Sequence, residues 1–401
     1  MKKLLVVSLD AVSTGDLDLL TAYPNFHKLL RNGTLVKGVD SIFVTNTYPI
    51  HTSMITGQLP FQHGITDNCY FEFGKDSPNW RWYYHLIKTE NAISQALKHN
   101  LRIATIFWPV MALAPVKYNI PEILARDHEN QIAVVLKNST KLFALKNFLR
   151  HSKGLKGSQQ PFLDDFSVKV TTELLTKQQA DLVFLHLTDT DSMKHEYGIN
   201  SMQALDSLAR MDKRIGELVM GAEDNYQLLI LSDHAQVDCH DHLDLNQVTP
   251  FPGAWWQQSE GYAVLLEREK FQTEDFDHLK KWLESQDFFR RYLTQEEMAS
   301  SGLAEVSRLG LTPRVGTAFT CDAHRHIGNH GFPLDTPDYH PFYFASGKDI
   351  KENEILDGGS VMMIANTILS MLQLPTLPAA QAADPRIFKK KLTKQSEILS
   401  V

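Results

Sequence analysis

The chain has 401 residues, room for a large core or two domains, and its 43% hydrophobic and 22% charged residues are the balance of a globular protein. Its formal net charge of −7 argues against a nucleic-acid polymer as partner, because a phosphate backbone needs a basic face, but leaves room for a small phosphate ester. Three cysteines with no CxxC pair supply neither a disulfide framework nor a thiolate zinc site, and no run approaches ~18 apolar residues, so no membrane span and no membrane partner are expected.

"MKKLLVVSLD" begins like a signal peptide, but its apolar run stops at Asp10 and no small-residue cleavage site follows. It reads as a first strand, and the expected compartment is the cytoplasm. "GVDSIFV" reads as a strand, and "TNTYPIHTSMITG" as the turn and helix after it. Thr47 stands at that junction. It is either a helix cap, its oxygen taking a free backbone N–H, or a nucleophile at a helix N-terminus, where an anion is welcome. Between residues 68 and 180 lie an aromatic stretch, "NCYFEFGKDSPNWRWYYH", and a basic one, "LKNSTKLFALKNFLRHSKGLKG". Trp80, Trp82, Tyr83 and Tyr84 either wall a pocket or pack beneath a lid.

Two further apolar runs end in acids: "ADLVFLHLTDTD" in Asp189 and Asp191, and "YQLLILSDH" in Asp233 and His234. Near-continuous apolar runs suit parallel strands buried on both faces. Helical patterns alternate with them, in "AISQALKHN", "SMQALDSLARMDKRIGELV" and "GGSVMMIANTILSMLQLP". The fold class is therefore α/β: a mostly parallel central sheet with helices on both faces, and ligands at the carboxyl ends of its strands. Residues 250–325 read as a small α/β cap insertion dividing the core into 1–249 and 326–401. The tail past "LPTLPAAQAADP" is polar and basic and reads as loosely held.

Asp191 and His195, four apart, share a face if their segment is helical. Asp233 and His234 are adjacent. His330 lies in "GNHGF", where two glycines free the backbone to approach a ligand. With Asp10 these make six carboxylate and imidazole ligands, and Thr47 a seventh. That is too many for one tetrahedral ion and suits two, with positions left open for substrate.

In this order the motifs resemble the nucleotide pyrophosphatase/phosphodiesterase family of the alkaline phosphatase superfamily. "TNTYPIHTSMITGQLPFQHGITDN" is similar to its Thr-Phe-Pro-Asn-His nucleophile segment. "DSMKHEYG" resembles Asp-Ser-x-Gly-His-x-x-Gly, "SDHAQ" resembles Ser-Asp-His-Gly, and "GNHGF" resembles Gly-x-His-Gly-Tyr. The resemblance implies an alkaline-phosphatase-like fold and makes Thr47 the nucleophile. It implies one metal on Asp191, His195 and His330, and a second on Asp10, Asp233 and His234 with the Thr47 oxygen. Asn68 would contact a phosphoryl oxygen, and Tyr48 would pack on a nucleobase. Zinc is the expected metal, with manganese the alternative, since both accept this ligand set.

The implied activity is hydrolysis of a small phosphodiester or nucleotide through a phosphoryl- or nucleotidyl-threonine. A phosphonoacetate-type hydrolase or a phosphomonoesterase on the same metal site, and a non-catalytic ligand-binding relative, are the alternatives. Lys194, Ala235 and Ile50 depart from the family pattern without removing a ligand. The outer groups, His240, Asp241 and His242 in "CHDHLDLN" and His324 and His326 in "DAHRHIG", are read as solvated loops or ligand support. Asp189 is read as a loop residue bonding near the site, and His51 and His63 as packing or motif support.

Overall fold

In the strand Lys3–Leu9, Leu4 and Val6 enter one apolar core while Leu5, Val7 and Leu9 enter another. A strand buried on both faces cannot alternate with polar residues, which is why it reads as an unbroken apolar run. In the computed structural model, which describes residues 2–75, 78–126, 129–157, 159–267, 273–321 and 324–389, this strand lies within an eight-stranded sheet. The basic tail, residues 390–401, lies outside the described residues.

The strands run in the order Glu354–Asp357, Gly33–Lys37, Tyr343–Ser346, Tyr226–Leu231, Lys3–Leu9, Leu182–Leu187, Ile103–Ile106 and Tyr118–Ile120. All point the same way except Tyr343–Ser346, which is antiparallel to both neighbours. Helices cover both faces. Thr47–Thr56, Ala92–Lys98 and Ile364–Met371 pack on the Leu4/Val6 side through Ile50, Ile93 and Ile368. Phe162–Thr176 and Met202–Ala222 pack on the other through Phe166 and Met211.

Two helices carry residues singled out in the sequence, Thr47 on one and Asp191 and His195 on the other. In Thr47–Thr56 all ten residues are buried, so no polar face exists and the hydroxyls must be satisfied from within. Thr52 and Thr56 do this by donating back to the carbonyls of Tyr48 and Thr52, each at 2.8 Å. Gly57 ends the helix at φ +66°, and a Cβ there would lie 2.5 Å from the Cβ of Ala380. The other helix, Asp189–Tyr197, is gripped from behind. Arg210 clamps Asp189 with Nε and Nη2 at 2.7 and 2.9 Å, and buried Arg214 adds a bond at 2.7 Å. Asp189 is thus the anchor of a helix rather than a loop residue. Lys194, where relatives were expected to have glycine, is buried with its ammonium on the Ala11 carbonyl and the Asp16 carboxylate.

Between residues 250 and 325, the strands Phe289–Tyr292, Gly310–Pro313, Tyr262–Glu267 and Ala254–Ser259 form a separate antiparallel sheet in that order. It has its own core of Trp256, Leu265, Leu279, Leu283 and Leu311. The two-residue turn Glu260–Gly261 of this sheet meets residues 330–332. Gly261 is required there, because a Cβ would meet the Phe332 nitrogen at 2.3 Å.

Candidate active site

Three neighbouring strands bring the acids together. Asp10 follows Leu9 directly, Asp233 and His234 come just after Leu231, and Asp191 lies in the first turn of the helix after Leu187. The result is three groups, each with its ligand atoms within 4.8 Å of one another: Asp10, Asp233 and His234; Asp191, His195 and His330; and His51 and His186 with the same Asp233. The first two adjoin, since the His234 and His330 rings stack at 4.2 Å. His234 Nε2 is 3.4 Å from Asp10 and 3.3 Å from Asp233, and His195 Nε2 is 3.3 Å from Asp191.

The three imidazoles are oriented alike. Nδ1 of His195 donates to the Gly328 carbonyl at 2.7 Å, Nδ1 of His234 to the Ala235 carbonyl at 3.2 Å, and Nδ1 of His330 to Asn46 Oδ1 at 2.9 Å. Each bond fixes the tautomer that leaves Nε2 as a ligand. Burial holds His234 down at about 4 and His330 at about 3, the neutral form a metal requires. His195 goes the other way, to about 10: burial opposes the charge, but Asp191 and Glu260 outweigh it, so a proton and a cation compete for this position.

The carboxylates carry the sharper signal. Burial, then Asp233 and Asp191, push Asp10 well above the usual carboxylate range. Asp10 Oδ1 and Asp233 Oδ2 are buried among the described residues with no hydrogen-bond donor. Two anionic oxygens without donors in one buried spot are costly unless a cation shares them. The donor set, carboxylate oxygen and imidazole nitrogen, fits two divalent ions.

Thr47 is the first residue of its helix, with Oγ1 3.3 Å from His234 Nε2. It is not the cap. Asn46 holds that position, and even Asn46 gives the helix no side-chain bond. Asn68 Oδ1 accepts the Tyr48 N–H at 2.8 Å, and Asn68 lines the cleft. The cleft has a volume of about 530 Å³, and Thr47, Asn68, Trp80, Phe107, Glu260 and Phe319 are among its walls.

Tyr48 is more enclosed than its place beside Thr47 suggests. Its ring has no exposed surface, Trp80 and Trp82 meet it edge-on at 5.4 and 5.8 Å, and its hydroxyl donates to Glu122. Tyr48 is nonetheless among the residues that line the cleft. Trp80, stacked on Trp82 at 5.0 Å, also lines the cleft. The glycines of "GNHGF" also do something other than admit a ligand. A Cβ on Gly328 would strike Gln236 and the Lys194 carbonyl at 2.3 and 2.5 Å, and Gly331, at φ +82°, lies against Ser259 and Asn46.

Several residues of the site were not singled out from sequence. Asn46 Nδ2 donates to Asp67 and Ser259, and Asp67 also accepts the Tyr262 hydroxyl at 2.6 Å. Glu260 accepts the His330 backbone N–H at 2.9 Å. His186 lies 3.0 Å from both Asp10 and Glu122. A histidine inside the apolar run "LVFLHL" was a signal for it. His51, near Asp233, has both nitrogens committed, to the Thr47 carbonyl and Ser8, so it supports the nucleophile segment. His63 bonds Ser53 of the helix Thr47–Thr56. Of the outer groups, His242 bonds the His326 carbonyl, His324 pairs with Glu196, and the His326 ring meets His195 edge-on at 4.8 Å.

A model of the type I phosphodiesterase / nucleotide pyrophosphatase family matches residues 4–333. The human protein ectonucleotide pyrophosphatase/phosphodiesterase family member 5 is 22% identical over 339 residues, 82% of this chain and 66% of the relative, so the chain spans about two thirds of that protein's length. A bis(5'-adenosyl)-triphosphatase of Mus musculus is 22% identical over 362 residues, 86% of this chain and 72% of the relative. Among solved structures, murine ectonucleotide pyrophosphatase/phosphodiesterase 5, as an inactive threonine-to-alanine variant in complex with AMP, matches at a TM-score of 0.71 and 19% identity, covering 94% of this chain and 96% of that one. At that identity the match is one of fold.

Proposed function

Because the chain belongs to the type I phosphodiesterase / nucleotide pyrophosphatase family, we propose that it hydrolyses small phosphodiesters or nucleotides with Thr47 as the nucleophile. The observation that carries this is the position of Thr47 Oγ1, 3.3 Å from His234 at a helix N-terminus beside the first two ligand groups. Two divalent ions, zinc by the chemistry of the ligands and manganese as the alternative, would lower the hydroxyl's pKa and neutralise phosphoryl charge. Asp10, Asp233 and His234 would hold one ion, and Asp191, His195 and His330 the other.

The protein's own groups do the rest. Thr47 Oγ1 attacks phosphorus, the bond to the leaving oxygen breaks on the opposite side, and the phosphoryl or nucleotidyl group passes to the threonine. Water then cleaves that ester and restores the hydroxyl. The Asn68 amide donates to a non-bridging oxygen, and the helix N-terminus adds its partial positive charge. His51 holds the Thr47 carbonyl and so fixes the backbone from which the hydroxyl projects. A nucleotide is favoured over a phosphonate because Trp80 offers an aromatic wall, and because relatives are a bis-adenosyl triphosphatase and a protein solved with AMP. Residues 250–325 would act as the cap that closes the cleft with Glu260 and Phe319.

Thr47→Ala tests this. Turnover of bis(4-nitrophenyl) phosphate and of nucleotide substrates should fall at least about a thousandfold, while melting temperature and metal content by elemental analysis stay at wild-type values. Retained turnover would remove the nucleophile assignment. A wild type that cleaves phosphonoacetate but no nucleotide would move the protein to the alternative substrate class.

A further inference from the structure

The helix Lys141–His151 has one face the fold does not use. Ala144 and Asn147 are buried. On the opposite side Leu142, Leu145 and Leu149 are 83, 42 and 75% exposed. At 100° per residue these three leucines form one stripe, flanked by Lys141 and Lys146. Surface leucines scattered singly need no explanation, but a stripe on a helix with cationic borders is the pattern of a helix that lies in a lipid interface.

Charge points the same way. From residue 130 to residue 163 the sequence contains no Asp or Glu and six cations: Lys137, Lys141, Lys146, Arg150, Lys153 and Lys156. This occurs in a chain whose net charge is −7. Arg150 is spent on Glu173 and Lys156 sits over the Phe162 ring, but Lys137, Lys141, Lys146 and Lys153 are exposed. The inner side of the same helix supplies a second observation. Ala144 and Phe148 wall an apolar cleft of about 490 Å³, with the exposed Leu124 and Ile132 among its other walls. That cleft shares Phe107, Glu122, Leu124 and Leu163 with the active-site cleft.

We propose that the Lys141–His151 face docks this protein on an anionic lipid surface. The expectation of no membrane partner rested on spanning segments alone. No described helix is long and apolar enough to cross a membrane, and interfacial docking needs none. A second copy of the chain is a poorer occupant. A two-fold contact through the stripe would set Lys141 and Lys146 of each copy against those of the other. The docking goes beyond the hydrolase reading and is tested without relying on it.

The test is co-sedimentation of the full chain with vesicles of phosphatidylcholine alone and of phosphatidylcholine mixed with phosphatidylglycerol. Wild type should bind the anionic vesicles, bind the neutral ones far less, and be released by salt. Leu142→Gln/Leu145→Gln/Leu149→Gln and, separately, Lys141→Gln/Lys146→Gln should each lower partitioning roughly tenfold or more. Neither should alter melting temperature or turnover of a soluble phosphodiester. Absence of wild-type binding to anionic vesicles, or equal binding by the leucine variant, overturns the proposal. So does a dimer in analytical ultracentrifugation that the leucine substitutions dissolve. Loss of soluble turnover in the wild type would instead count against the hydrolase reading, whatever the vesicles show.

Discussion

At the scale of single residues, Asn46 connects most with least. One amide spans Asp67, Ser259 and His330, at 2.7, 2.8 and 2.9 Å. It therefore links the helix that begins at Thr47 to the 250–325 sheet and orients His330, a proposed metal ligand. Asn46→Ala should leave the fold in place and weaken zinc binding about 10- to 100-fold, the usual cost of losing a residue that orients a ligating histidine. Equilibrium dialysis would check it, and unchanged affinity would mean that the backbone alone orients His330. His63 answers to pH instead. Burial holds it down at about 3, and its Nδ1 accepts the Ile65 N–H while Nε2 faces Ser53. The unfolded chain takes up that proton near 6.5, the folded one only near 3. The stability present above pH 6.5 is therefore lost as pH falls toward 3, with a slope approaching ~1.4 kcal/mol per pH unit for this group. His51, also held at about 3 by burial and His186, adds a similar dependence. Thermal melts from pH 4.5 to 7 should fall less steeply in His63→Gln than in wild type, and parallel curves would contradict the assignment.

At the scale of elements, the helix Asp189–Tyr197 owes its position to the helix Met202–Ala222. Two of the proposed ligands, Asp191 and His195, ride on the first helix, and the second holds it through Arg210 and Arg214 on Asp189. Arg214 also reaches Asp165 and the Pro161 carbonyl, tying in a third helix. Arg214→Ala would leave Asp189 and Asp164 buried with too little positive charge, and should cost about 3–5 kcal/mol of unfolding free energy. Chemical denaturation measures this directly; a loss below about 1 kcal/mol would show that Arg210 alone holds the helix. The spacing of Arg210 and Arg214 was visible in "LARMDKRIG" as one helix face. Its destination was not visible, because the acid it meets lies twenty-odd residues away on another element.

At the scale of the whole molecule, the strands and the acids at their ends were legible because burial on both faces leaves unbroken apolar runs, each with an abrupt polar stop. Asp10, Asp191 and Asp233 could be read that way, and the sheet does bring them together. What could not be read depends on contacts between distant segments. Tyr262 meets Asp67 across 195 positions, and Asn46 meets Ser259 across 213. Tyr48 looked available in sequence, but the fold lays Trp80 and Trp82 over it. The glycines around His330 looked like room for a ligand, and the neighbouring chain segments fill that room.

The one antiparallel strand of the central sheet, Tyr343–Ser346, bonds Gly33–Lys37 on one side and Tyr226–Leu231 on the other. A nascent chain therefore leaves an empty slot in the middle of its largest sheet until residue 346 has cleared the ribosome. Until then the edge of Tyr226–Leu231, the strand that leads to Asp233 and His234, stays open to any other strand that meets it. Closing the slot joins segments separated by 313 positions at Ser346 and Gly33, an expensive and slow step in chain entropy. The strand that leads to Asp233 and His234 has one neighbour, Lys3–Leu9, early in synthesis and gains its second only when residues 343–346 arrive.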